Sequence, residues 1–296
     1  MTFVGLCLPQ LGEVVDVGLI RDYTVRSHQL GFDSLWVQEH FLFATESKSA
    51  YPTQSGGVQR SVYETVYSPL ELLGAVTAWA PGMGIGTSIL VAGYHYPAPL
   101  ANRLATLAQL SGGRLIAGFG VGWSREEHAA AGVDASTRGK RLDEFIPALR
   151  ACWEDDPIEF HSPMFDIAPG VMRPKPPRPI PLMAGMWSDA GLRRTARDFD
   201  LWNPGGPAMS LDEAEEKLAL INSWRPEGKA PVGMVYRLAT ESASGIKLGV
   251  DGVVEYVHEA RRRGIDGVVI DTNFDTSVTD AASWLAQLED LAGALE

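Results

Sequence analysis

The chain has 296 residues, and its 45% hydrophobic and 21% charged content is that of a globular protein in water. That length suits either two ordinary domains or one α/β barrel of about 250 residues, and it buries a core without staples. A net charge of −12 excludes nucleic acid and anionic membrane surfaces as expected partners, since both are held through clustered basic charge.

Taken in chain order, short apolar runs alternate with helical patterns. "FVGLCLP" (3–9) reads as a buried strand and "VGLIRDYTVRSHQLG" (17–31) as a helix closed by Gly31. The amino terminus has no basic start ahead of a long apolar core, so no signal peptide is expected. "DSLWVQEHF" (33–41) is a second strand, and "SPLELLGAVTAWA" (68–80) a helix with Ser68 as its cap. "GMGIGTSILVA" (82–92), "APLANRLATLAQLSGG" (98–113) and "RLIAGFG" (114–120) continue as strand, helix and strand. "RGKRLDEFIPALRACW" (138–153) is helical despite Pro147. "IPLMAG" (180–185), "SDAGLRRTARD" (188–198), "FDLWNP" (199–204) and "SLDEAEEKLALINSW" (210–224) keep the rhythm. So do "PVGMVYRLA" (231–239), "VDGVVEYVHEARRRG" (250–264), "DGVVIDT" (266–272) and "TDAASWLAQLEDLAGAL" (279–295).

Eight strands, each followed by a helix and with no compositional break, predict one α/β domain over 1–296. The expected fold is a (β/α)8 TIM barrel, with an open doubly wound sheet as the alternative. Two insertions break the rhythm: 42–67 after the second strand, and 154–179 before the fifth, where "IEFHSPMFDI" has the pattern of a hairpin. Cys7 and Cys152 show no metal or redox spacing; Cys7 reads as a small core residue, and a reducing cytoplasm is the expected compartment.

"GFGVGW" (118–123) raises the question of a phosphate site. It is not the dinucleotide fingerprint, because Trp123 stands where the third glycine belongs and the following "SREEHAAAG" does not read as a clean helix. A phosphate cradle or a tight barrel turn both fit. Barrel chemistry sits at the carboxyl ends of strands, which here carry Gln38-Glu39-His40, Thr87-Ser88-Ile89, Ala184-Gly185-Met186, Trp202-Asn203 and Asp271. His40 suits acid–base work; a histidine hydrogen-bonded at a strand end suits the position equally. Strand alternation turns Glu39 to the opposite face, so it shares His40's surroundings only if the strand bulges. Glu126-Glu127-His128 reads as a solvated helix start, and no histidine has metal-ligand spacing, so no metal is expected. Between Arg173 and Arg197 lie six basic residues against one acid, Asp189, which fits either an anion site or a solvated basic patch.

The series "SLWVQEHF", "IGTSILVAGYHYPAPLANRLATLAQLSGGRLIAGFGVGW", "RGKRLDEFIPALRACW", "MRPKPPRPIPLMAG" and "LRRTARDFDLWNP" resembles the bacterial luciferase-like superfamily. It resembles especially the branch of oxidoreductases that use the deazaflavin coenzyme F420. It implies a (β/α)8 barrel that binds F420, or alternatively FMN, at the carboxyl face. His40 matches the family's active-site histidine, and Glu39 an acidic neighbour of the ring. Ser88-Ile89 matches a cis peptide in a bulge behind the ring. Gly120, Val121 and Gly122 match a phosphate loop, and Ala184, Gly185 and Met186 a second phosphate contact. Relatives commonly have Gly-Gly where this chain has Ala184-Gly185. Trp123 replaces the catalytic glutamate of the deazaflavin-dependent sugar-phosphate dehydrogenases, so a sugar phosphate is not expected. The resemblance implies hydride transfer to or from a small organic substrate. Its alternatives are a monooxygenase supplied with reduced FMN by a partner reductase, and a non-catalytic flavin-binding protein. It also implies a homodimer.

Overall fold

The computed structural model describes residues 2–46, 49, 62–205, 209–241 and 247–295. Most of the insertion expected over 42–67 lies outside the described residues. The strands are β1 (Phe3–Cys7), β2 (Ser34–Val37), β3 (Gly84–Thr87), β4 (Leu90–Val91), β5 (Leu115–Gly120), β6 (Ile158–His161) and β7 (Asp166–Gly170). They continue with β8 (Leu182–Ala184), β9 (Leu201–Trp202), β10 (Gly233–Ala239) and β11 (Gly267–Asp271). The helices are α1 (Val17–Gln29), α2 (Pro69–Trp79), α3 (Pro97–Leu110), α4 (Arg125–Ala130), α5 (Arg138–Ala151), α6 (Asp189–Asp198), α7 (Leu211–Ser223), α8 (Gly249–Arg263) and α9 (Ala281–Leu295).

The parallel strands run in the order β3-β2-β1-β11-β10-β9-β8-β5-β4, and β3 also pairs with β5, which closes the sheet. The closed barrel, not the open sheet, is the fold. β3 and β4 form one stave interrupted at Ser88-Ile89, so the barrel has the eight strands expected. Ile85 pairs with Leu115 but Leu90 with Phe119, a one-residue change of register across the interruption. An extra residue of this kind is a bulge, which bends the strand and re-aims its side chains.

Continuous apolar runs form these strands because both faces are buried, one in the barrel and one under the helices. Cys7, Trp36, Met183, Val235 and Val269 fill the interior, while Leu6, Leu35, Leu104, Phe119, Phe145 and Trp202 belong to the larger shell beneath the helices. Cys7 is a core residue as expected: burial, reinforced by Asp271, pushes its thiol well above the ordinary range. The sixth stave is shorter than "FDLWNP" suggests, only Leu201–Trp202. The insertion before β8 forms the expected antiparallel hairpin, β6 with β7. Ser68 precedes α2 as read, but its hydroxyl goes to the Glu71 carboxylate instead of capping a backbone amide.

The glycines of the fourth strand are explained by packing against the bulge. A Cβ on Gly118 would overlap the Thr87 carbonyl, and one on Gly120 would lie 2.7 Å from Ile89 Cδ1. Gly118→Ala forces two backbone segments apart and is expected to cost about 1–3 kcal/mol or more. Gly293→Ala, at a helical site where an added Cβ meets nothing within 4 Å, is the control and is expected to be neutral or slightly stabilising. Urea midpoints compare the two; equal midpoints contradict this account of Gly118.

Candidate active site at the barrel mouth

β2 ends at Val37, so Gln38, Glu39 and His40 have left the sheet where strand alternation would have separated them. Gln10 holds this departing segment: its Nε2 donates to the Gln38 carbonyl at 2.7 Å, and its Oε1 accepts from the Gln38 amide at 2.8 Å. Glu39 and His40 therefore both line one cavity at the carboxyl ends of the strands. Glu39 is anchored outward, accepting from the Val91 amide at 2.7 Å and lying 2.9 Å from His95 Nε2.

His40 Nδ1 lies 2.9 Å from Glu127 Oε2. Glu127 is fully buried, and its Oε1 accepts from the amides of Phe41 at 2.8 Å and Leu42 at 3.3 Å. Its Oε2 also accepts from the Tyr94 hydroxyl at 3.0 Å. Burial opposes the charge, but His40 and the two amides outweigh it and hold the carboxyl below its usual range. The same burial, with Glu127 beside it, pushes the Tyr94 hydroxyl upward. Tyr63 packs edge-on against the imidazole at 4.6 Å, and Trp123 lies tilted at 5.6 Å.

Glu127 overturns one expectation, that this helix start is solvated. "SREEH" opens a helix, α4, with the Ser124 hydroxyl accepting from the Glu127 amide at 3.1 Å. Neither Glu127 nor His128 is solvated; both are fully buried. The signal was present in the sequence as Ser-x-x-Glu, the capping-box pattern. In that motif the glutamate turns back to its own cap. Here it reaches instead across to the segment after β2.

On the opposite wall the Ser88–Ile89 peptide is cis, as the resemblance implies. Polar groups brace it on the Ser88 side. Ser88 Oγ donates to Asn203 Oδ1 at 2.7 Å, and Asn203 Nδ2 donates to the Val235 carbonyl at 2.6 Å. Arg237 Nη1 donates to the Ser88 carbonyl at 2.7 Å, and its Nε donates to Asp271 Oδ2 at 3.0 Å. Burial works against the Arg237 charge, but Asp271 outweighs it and holds the guanidinium above its ordinary range. Neither Arg237 nor Asn203 was assigned a role from sequence. An arginine within an otherwise apolar strand was the signal.

Of the residues expected at the site, Glu39, His40, Ser88, Ile89, Gly122 and Gly185 line this cavity. Gly120, Val121, Ala184 and Met186 do not; Gly120, Ala184 and Met186 are buried behind the wall, and Val121 packs against the core. Gly185 has a steric role as well, since a Cβ there would lie 2.7 Å from Ile89 Cγ2. The six basic residues of 173–197 are engaged away from this cavity. Arg173 and Lys175 pair with Asp156, and Arg194 and Arg197 with Asp143. Arg178 donates to the Gly113 carbonyl, and Arg193 stacks over Trp224. None of the six lines the cavity. Among the described residues no cluster of potential metal ligands occurs, and no helix is long and apolar enough to cross a membrane.

The residues present fit a planar, flavin-like group. Ile89 and the aromatic side chains of Tyr63, Trp123, Trp187 and Phe274 supply apolar walls, while Gly122 (φ +72°) and Gly185 present backbone without side chains.

The sequence profile of the luciferase-like monooxygenases matches residues 1–240. The chain belongs to that family. An uncharacterized protein of Mycobacterium tuberculosis is 32% identical over 198 residues, covering 67% of this chain and 68% of the relative. An F420-dependent glucose-6-phosphate dehydrogenase of Amycolatopsis mediterranei is 30% identical over 172 residues, covering 54% of this chain and 45% of the relative. Among solved structures, a monooxygenase of Streptomyces bottropensis superposes with a TM-score of 0.75 at 16% identity, covering 99% of this chain and 98% of the other. An F420-dependent secondary alcohol dehydrogenase, solved with an F420–acetone adduct, gives 0.71 at 15% identity, covering 100% and 99%. The chain is thus a luciferase-like enzyme of the class that uses flavin or deazaflavin, on the family's barrel.

Proposed function

We propose that this luciferase-like enzyme passes a hydride between coenzyme F420 and a small organic substrate at the barrel mouth. The observation that carries the reading is the pairing of His40, held by buried Glu127, with the Ser88-Ile89 bulge across one cavity. Bound there, the deazaflavin would supply the hydride chemistry. Ser88 and Ile89 would back its ring, Glu39 would lie at its edge, and the backbone at Gly122 and Gly185, the members of the two expected phosphate contacts that reach the cavity, would flank its phosphate. His40 would give or take the proton that accompanies the hydride, through its Nε2. The similarity to an F420-dependent glucose-6-phosphate dehydrogenase supports deazaflavin over flavin.

Trp123 adds an aromatic wall beside His40, which favours a compact, non-phosphorylated substrate. A cytoplasmic location accords with this chemistry. The second reading, an FMN-dependent monooxygenase fed by a reductase, is favoured by the family to which the chain belongs and by the likeness to the Streptomyces monooxygenase. Purified protein incubated anaerobically with F420 and a panel of small alcohols separates the two. Bleaching of the deazaflavin chromophore is the expected result. No bleaching with any alcohol, together with protein-dependent oxygenation of an organic substrate when reduced FMN and oxygen are supplied, overturns the first reading.

A further inference from the structure

We infer that Glu127 is the positioning residue of His40: its carboxylate fixes the imidazole with the proton on Nδ1 and leaves Nε2 as the atom that exchanges a proton with the substrate. The inference rests on the proposed function for the use of that proton, but its structural content stands apart from it. Glu127 offers two oxygens with different duties. Oε1 is occupied by the amides of Phe41 and Leu42, and Oε2 faces His40 Nδ1 and the Tyr94 hydroxyl. An ionised carboxylate is an acceptor only, so the nitrogen 2.9 Å from it must carry a hydrogen. Which ring nitrogen is protonated is set by the hydrogen bond the other one makes. Among the described residues Nε2 makes none.

Among the described residues no other charged group pairs with the ring. Glu39, next in sequence, is turned onto the Val91 amide and His95. Arg237 and Asp271, on the far wall, are paired with each other. Tyr63 and Trp123 meet the imidazole through their rings, and His128 turns its Nδ1 to the Ser124 carbonyl at 2.7 Å. A buried carboxylate that holds a histidine in one tautomer, with a reactive nitrogen opposite, is the arrangement of the serine-protease triad without its serine.

The test is a substitution that reverses the hydrogen bond without emptying the space. In Glu127→Gln the side-chain oxygen stays with the amides of Phe41 and Leu42, which can only donate. The amide NH2 then takes the place of Oε2 and donates to Nδ1, so His40 must move its proton to Nε2. Nitrogen-15 spectra of histidine-labelled protein, recorded without cofactor on the alkaline plateau, read the tautomer directly. The expected result is Nδ1–H in the wild type and Nε2–H in Glu127→Gln. Tyr94→Phe, which removes one donor from Glu127 and leaves the His40 contact, is expected to keep Nδ1–H. A neutral wild-type His40 protonated on Nε2 overturns the inference, even where Glu127→Gln does not fold. So does a Glu127→Gln protein that keeps Nδ1–H. Because no cofactor is added, these outcomes are independent of whether F420 binds.

Discussion

His40→Ala lowers turnover by about 10²-fold or more, the scale of a single general acid–base contact, while F420 affinity stays within a few-fold. The loss falls on turnover because, in the proposed reaction, a proton must enter or leave the substrate as the hydride moves, and Nε2 of His40 is the ring nitrogen that Glu127 leaves available. Affinity is spared because the proposed ring and phosphate contacts are made elsewhere, by Ile89, Gly122 and Gly185. The fold is spared as well. With the imidazole gone, the Glu127 carboxylate still accepts from Phe41, Leu42 and Tyr94. Steady-state rates and a fluorescence titration on the same preparation check both halves. Unchanged turnover makes His40 a structural residue. A large loss of affinity makes it a binding residue.

Arg237→Met destabilises the protein by about 3–5 kcal/mol, the usual cost of leaving one member of a buried ion pair alone. Asp271 is 2% exposed, and without the guanidinium it retains only the Asn273 amide and side-chain donors on its other oxygen. The Ser88 carbonyl loses its donor at the same time, so the bulge and the barrel wall loosen together. Arg237→Met with Asp271→Leu recovers part of the loss, since replacing both members of such a pair by apolar groups is often near neutral. Urea denaturation measures the pair of variants. A loss below about 1 kcal/mol for the single change would contradict the assignment of Arg237 as the brace of the bulge.

The alternation of strands and helices was legible because parallel barrel strands are buried on both faces and appear as apolar runs, such as the Gly-Val-Val-Ile that precedes Asp271. His40, Ser88 and Ile89 were legible because barrel chemistry concentrates at strand ends and because the series of motifs resembled one superfamily. Glu127 was not. It lies in a polar stretch that reads as a solvated helix start, and its capping-box spacing from Ser124 marks a helix without showing that the helix carries it inward. Arg237 and Asp271 were hidden for a different reason. Their partnership is made between neighbouring strands, with Ala239 opposite Asp271 and Arg237 two residues before it, and no single stretch of sequence contains it. The glycines of "GFGVGW" suggested a phosphate, yet Gly118 and Gly120 are small because Thr87 and Ile89 press on them. In the basic segment local composition left an anion site and a solvated patch both open, because its partners Asp143 and Asp156 come from earlier in the chain.

Titration of the purified protein with F420 and with FMN in parallel, followed by fluorescence at physiological salt, tests the central claim most directly. Saturable binding of F420, tighter than that of FMN and weakened when Gly122 or Gly185 carries a larger side chain, is the predicted result. FMN binding equal to or tighter than F420 binding would contradict it.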